Sequence, residues 1–116
     1  MKLLSLEPFV PSGKDFEKYK ALFIDLGFNI SWEAGGYAGL EKDGCSFILQ
    51  HFEEKAFAEN FMLSVKVEDV AAFRNELIEK DILGTYGIKI GAVTQQPYGK
   101  EVNMIDIAGV CWHFVE

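Results

Sequence analysis

The sequence predicts an α+β protein in which two βαβββ modules form a curved mixed sheet around a cleft, with the helices on the outer face. Three observations predict it. Two segments place apolar residues at helical spacing behind a capping aspartate, each follows one short extended apolar run, and each precedes several more. The capping residues Asp15 and Asp69 lie 54 positions apart. At that same offset Tyr19 falls on Phe73, Phe23 on Leu77, Ile24 on Ile78 and Phe28 on Ile82, so the chain reads as one unit written twice. A chain of 116 residues is a single domain by length. Residues 1-116 are therefore read as one domain, with module one over about 1-55 and module two over about 56-116.

The first element is the run Leu4 to Val10, a strand candidate. From Lys14 the chain reads KDFEKYKALFIDLGF, where Phe16, Tyr19, Ala21, Leu22, Phe23 and Leu26 share one helical face and Gly27 is placed to end the helix. Asn29 to Glu33, Tyr37 to Lys42 and Cys45 to Phe52 follow as strands, separated by the turn signals Gly35-Gly36 and Asp43-Gly44. Phe61 to Val67 alternates and opens the second module. EDVAAFRNELIEKDI is its helix, with Val70, Phe73, Leu77 and Ile78 as the apolar face. Tyr86 to Ile90, Glu101 to Ile105 and Val110 to Val115 complete the set as strands.

Hydrophobic residues make up 49% and charged residues 25%, the profile of a soluble globular protein with no membrane segment. The opening MKLLSL is interrupted by Glu7 and Pro8 before it forms the apolar core of a signal peptide, so a cytoplasmic location is expected. A formal charge of -7 without clustered Lys or Arg argues against nucleic acid and is compatible with steering a cationic small molecule. Cys45 and Cys111, the two cysteines, are expected to be buried thiols.

The closing segment QPYGKEVNMIDIAGVCWHFVE joins an aromatic-glycine turn at Tyr98-Gly99 to a strand, a turn from Asp106 to Gly109 and an aromatic-rich final strand. It resembles the last hairpin of bleomycin-resistance proteins, members of the vicinal oxygen chelate superfamily that also holds glyoxalase I and the extradiol dioxygenases. PFVPSGKDFEKYKALFIDLGF resembles their opening strand and helix, GGYAGLEKDGCSFIL their middle hairpin, and SVKVEDVAAF the start of their second module. The order and spacing carry the resemblance, and a shared scaffold does not by itself fix the chemistry.

Enzymes of that superfamily hold a divalent ion with His, Glu or Gln from the first and last strand of each module. Carried onto this chain, those positions fall near Pro8, Gln50, Met62 and His113. Proline has no donor and a thioether suits hard ions poorly, which leaves Gln50 and His113. Glu7 and His51 stand one residue away, where a shift of one turns a side chain to the other sheet face. No metal and no cofactor are therefore expected. Cys111 and His113 share a strand face, but the sequence shows no third group to orient the imidazole, and no catalytic residue is assigned.

The resemblance implies a homodimer with aromatic-lined grooves that receive a flat or cationic drug, the first strand crossing over near Pro8 and Pro11. Trp32, Tyr37 and Tyr98 fall at aromatic positions of that pattern, Gln50 and His113 are candidates for polar contacts in the floor, and Met62 for an adaptable wall. In the loop where the relatives carry several acidic residues, only Glu33 remains. The implied function is metal-free sequestration of a small molecule, a glycopeptide antibiotic among the candidates. The alternatives are a metal-dependent glyoxalase- or dioxygenase-like enzyme and a small-molecule sensor on the same scaffold.

Overall fold

A computed structural model describes residues Met1 to Glu116, which form two compact units, Met1–Glu54 and Lys55–Glu116. Each unit carries its own mixed sheet, so the architecture is α+β as the sequence predicts.

In the first unit β1 (Phe9–Pro11) leads to α1 (Phe16–Asp25), then to β2 (Asn29–Ala34), β3 (Tyr37–Lys42) and β4 (Cys45–Gln50). The strand order is β1-β4-β3-β2, with β1 parallel to β4 and the other pairs antiparallel. Asp15 caps α1, its carboxylate accepting from the Lys18 N–H at 3.0 Å. Gly35-Gly36 and Asp43-Gly44 all have positive φ, the geometry of two-residue hairpin turns that match strand twist. One sheet face takes the core: Tyr19, Leu22 and Phe23 of α1 are buried, as are Val10, Ala38, Leu40, Phe47 and Leu49. Phe23 meets Phe47 edge-on at 5.0 Å.

The second unit opens with α2 (Lys55–Glu59) and β5 (Met62–Lys66), followed by α3 (Val70–Glu79) and α4 (Ile82–Tyr86). It closes with β6 (Lys89–Ile90), β7 (Thr94–Gln96), β8 (Gly99–Ile105) and β9 (Cys111–Val115). The order is β5-β9-β8-β6, with β7 also paired to β8 and with β5 parallel to β9. Asp69 caps α3 through the Ala72 N–H at 3.0 Å, as Asp15 caps α1. Val70, Leu77, Val102, Met104, Trp112 and Phe114 are buried, and Phe73 packs on Phe114 at 4.2 Å.

The offset of 54 carries over to burial at two of its four pairs. Phe23 and Leu77 are both buried, and Ile24 and Ile78 are both exposed. Ile78 thus lies outside the apolar face assigned to it, because the helix turns it away from the sheet.

Other boundaries also differ from expectation. The first strand is Phe9–Pro11, so only the last two residues of the run Leu4 to Val10 are in it, and Leu3, Leu4 and Leu6 are exposed. Tyr86 closes α4 and leaves only Lys89–Ile90 in the ladder. The helices α2 and α4 and the strand β7 were not foreseen; five- and three-residue elements are too short to show a period. Both cysteines are free thiols, but neither is the buried core filler expected: Cys45 is exposed at a hairpin end, and Cys111 is half-buried on the face opposite Trp112.

The turn between β8 and β9 is built on one buried side chain. Asp106 Oδ1 accepts from the N–H groups of Ala108, Gly109 and Val110 at 2.9, 3.1 and 3.0 Å, and Oδ2 accepts from Trp112 Nε1 at 2.9 Å. Removing it leaves four donors short of a charged partner. Asp106→Ala is expected to cost about 3 kcal/mol or more in chemical denaturation, and to lower the melting temperature by roughly 10 °C. Asp106→Asn, which keeps one acceptor oxygen, is expected to fall between; equal melting of Ala variant and wild type would show that the turn forms without the carboxylate.

Candidate functional site

Each sheet has a second face, away from its core, and the candidate residues divide between these two faces. On the first sheet the register aligns two rows. Trp32, Gly39, Ile48 and Phe9 are successive partners across β2, β3, β4 and β1, and Tyr37, Gln50 and Pro11 form the adjacent row. A register shift between Ile30 and Trp32 marks a bulge at Ser31, which sets the phase of Trp32. The indole lies against Gly39: a Cβ built there would stand 2.2 Å from Trp32 Nε1. Gly39 is therefore required for the ring to lie down on β3. Trp32 remains 43% exposed and Phe9 54% exposed, an unusual degree for large rings on a sheet face.

Tyr37 and Gln50 meet directly, Gln50 Nε2 donating to the Tyr37 hydroxyl at 3.5 Å, and the Phe9 ring stands edge-on to Tyr37 at 6.1 Å. The structure thus brings Trp32, Tyr37 and Gln50 together and adds Phe9. Glu33 is not part of this face. It pairs in register with buried Ala38 and forms an ion pair with Lys20 of α1, whose ammonium also meets Glu17 at 2.9 Å. Glu33 is the main influence holding the Lys20 ammonium above its ordinary range, offset in part by desolvation.

On the second sheet Met62, Cys111 and Ile105 form one row, Ser64, His113 and Asn103 the next, and Lys66, Val115 and Glu101 a third. His113 Nδ1 lies 2.9 Å from Glu101 Oε1, the Tyr98 hydroxyl donates to Glu101 Oε2 at 3.0 Å, and Cys111 Sγ is 3.4 Å from His113 Nε2. Glu101 is only 5% exposed. The expectation that no third group orients His113 is therefore corrected: Glu101, on the neighbouring strand, does so. The sequence places Glu101 at the start of a predicted strand and gives it no role. The available signal was its place in the alternation of β8, where Val102 and Met104 face the core.

Electrostatics follow this geometry. The hydrogen bond to Glu101 is the main cause that raises the Tyr98 phenol above its ordinary value, with desolvation and the carboxylate charge adding to it. Burial pushes the Cys111 thiol up, and the charges of Glu101 and Asp106 add to the shift. Gly99, with φ +136, brings β8 against the chain end: a Cβ there would stand 2.4 Å from the Glu116 carbonyl oxygen.

The hard-ion site that the superfamily resemblance implies does not fit these residues. Pro8 has no donor, Met62 offers a thioether, and both ring nitrogens of His113 are engaged within its own sheet, which leaves the Gln50 amide oxygen as the one hard donor among the four positions. Glu7 lies ahead of β1 and accepts from Ser5 at 3.2 Å; His51 packs on Phe16 at 5.6 Å.

No family model matches the chain, and no curated protein matches it in sequence. Solved structures do. The bleomycin-binding protein of bleomycin-producing Streptomyces verticillus, complexed with copper(II)-bleomycin, superposes with a TM-score of 0.81 at 24% identity, covering 99% of this chain and 97% of that one. A bleomycin resistance determinant encoded on the transposon Tn5 gives 0.80 at 20% identity, over 97% and 96%. The antibiotic-binding protein TnmS3 from Streptomyces sp. CB03234 gives 0.78 at 19% identity, over 99% and 97%. The chain has the fold these proteins share.

The Tyr98–Glu101 bond has an optical signature. A difference titration between wild type and Tyr98→Phe is expected to show a phenol ionising above the ordinary value of about 10, and Glu101→Gln to return it toward that value. Because the folded-state value is the raised one, the associated stability is present below the unfolded value and lost as pH rises through the folded one. Wild type should therefore lose stability more steeply than Tyr98→Phe in strong alkali. A Tyr98 phenol titrating at its ordinary value would contradict the bond.

Proposed function

We propose that this chain, which has the fold of the bleomycin-binding proteins, is a metal-free binding protein that sequesters a planar or cationic small molecule in a groove at a homodimer interface. The observation that carries this reading is the open face of the first sheet. Trp32, laid down on Gly39, stands with Phe9 and Tyr37 as an exposed aromatic surface beside the polar Gln50. Such a surface suits a flat or cationic ligand, since aromatic faces stack on planar groups and attract positive charge. A formal charge of -7 favours the approach of a cation.

Met62, Tyr98 and His113 are assigned as further contacts, from the open face of the second sheet and its β7–β8 turn. Met62 is 65% exposed and Tyr98 59% exposed, so both have surface to give to a ligand or a second protomer. A glycopeptide antibiotic of the bleomycin class is the first ligand to test, because bleomycin is bound by proteins of the same fold. The proposed action is retention without turnover, in the cytoplasm. No helix is long and apolar enough to cross a membrane.

Trp32 supplies the assay. Bleomycin is expected to change tryptophan fluorescence saturably, with buried Trp112 as a constant background. Trp32→Ala is expected to weaken binding at least about tenfold without loss of fold. Gly39→Ala should act in the same direction by lifting the ring. Light scattering should give twice the 13.0 kDa chain mass at micromolar concentration, and the antibiotic should be recovered chemically unchanged. Absence of any fluorescence or melting response to bleomycin would remove this ligand class, and a 13.0 kDa species would remove the dimer.

A further inference from the structure

We propose that Cys111 is a nucleophile that adds to electron-poor alkenes, with His113 as its general base and Glu101 as the residue that positions the base. The three side chains form a line on the open face of the second sheet. Cys111 Sγ is 3.4 Å from His113 Nε2, and His113 Nδ1 is 2.9 Å from Glu101 Oε1. A nucleophile within reach of a base, and a base fixed by a third group, is the arrangement that thiol addition requires.

The hydrogen bonds also assign the tautomer. A carboxylate only accepts, and Glu101 receives the Tyr98 hydroxyl on Oε2 at 3.0 Å, so its Oε1 takes the proton-bearing Nδ1 of His113. The lone pair of Nε2 then points to Cys111, where it accepts the S–H. Glu101 is 5% exposed and held on both oxygens, which keeps this orientation from averaging away.

Burial and the nearby carboxylates raise the Cys111 thiol, so without help it is a poorer nucleophile at neutral pH than an ordinary exposed cysteine. The line of three residues supplies the help. Sulfur forms a bond to the β-carbon of an activated alkene as the carbon–carbon π bond breaks toward the carbonyl. The thiol proton passes to His113 Nε2 and then to the α-carbon. The product is a thioether; no group leaves, and no oxidant or reductant is needed. The half-buried Cys111 has exposed Met62 and Ile105 on either side in its row, a setting open to a small, apolar electrophile.

The chain contains its own control. Cys45 is exposed, and the only other histidine, His51, lies just beyond the opposite end of β4. Exposure alone predicts that Cys45 reacts first; a base-assisted Cys111 reverses the order. With N-ethylmaleimide as the probe and peptide mass spectrometry as the readout, Cys111 is expected to be labelled about tenfold or more faster than Cys45 in the native wild-type protein. His113→Gln should slow Cys111 by about a hundredfold and leave Cys45 unchanged. Glu101→Gln should slow it and shift the His113 ring-nitrogen resonances away from the Nδ1–H tautomer, which a merely structural role would not do. Labelling of Cys45 ahead of Cys111, or an unchanged Cys111 rate in folded His113→Gln, overturns the proposal. The wild-type comparison decides the matter even where a variant fails to fold, and neither arm involves bleomycin, so it stands or falls apart from the reading of binding.

Discussion

Parallel pairing of the first and last strand of each unit is the constraint on which the rest of the structure depends. In the first unit it sets Pro11 beside Gln50, and in the second it sets Met62 beside Cys111 and Ser64 beside His113. A parallel pair cannot be joined by a tight turn, so the chain between must leave the sheet and return, and in both units a capped helix begins that excursion. The helix then claims one sheet face for the core. Strand alternation leaves the other face to residues drawn from both ends of the unit, and these are the residues with chemistry.

On the second sheet that open face is organised by a buried carboxylate. Glu101 is satisfied on one oxygen by Tyr98, from the turn that precedes β8, and on the other by His113, from the neighbouring strand. A buried charge without such partners would be costly; with them it becomes a fixed reference for the groups around it. The first sheet lacks an equivalent. Glu33 is turned to the helix side and neutralised by Lys20, and Glu41, two residues beyond Gly39 on β3, accepts from the Gly44 N–H in the turn, which leaves an aromatic surface with the Gln50 amide beside it. The two faces are thus chemically different: one presents exposed rings, the other a hydrogen-bonded line of thiol, imidazole and carboxylate.

Much of the fold was legible in the sequence because its signals are local. The capping aspartates, the paired turn residues and the alternation of Phe61 to Val67 each determine backbone geometry within a few residues. The shared offset also shows in burial at two of its four pairs, Phe23 with Leu77 and Ile24 with Ile78. What was not legible depends on register between distant strands. His113 and Cys111 are visible as neighbours two apart, but Glu101 reaches them only because β8 pairs with β9 in one register. Glu33 looked like a loop carboxylate until the bulge at Ser31 set the phase of β2. The exposed Leu3, Leu4 and Leu6 are apolar enough for a strand, yet β4 pairs with only three residues of β1.

That dependence on register makes the Asp106 turn more than a connector. A slip of one residue in the β8–β9 ladder would carry His113 to the core side and Trp112 to the open face. Three backbone N–H groups converge on Asp106 Oδ1, and the turn length is thereby fixed. The Trp112 indole N–H on Oδ2 adds what a backbone turn alone cannot, since it tests the phase of the strand that follows. Only with Trp112 on the core side can its N–H reach the buried carboxylate. The same bond therefore holds the alternation that places Cys111 and His113 on the open face, one residue to either side. The site and the core are in this sense one decision, made at a single aspartate several residues from the chemistry it permits.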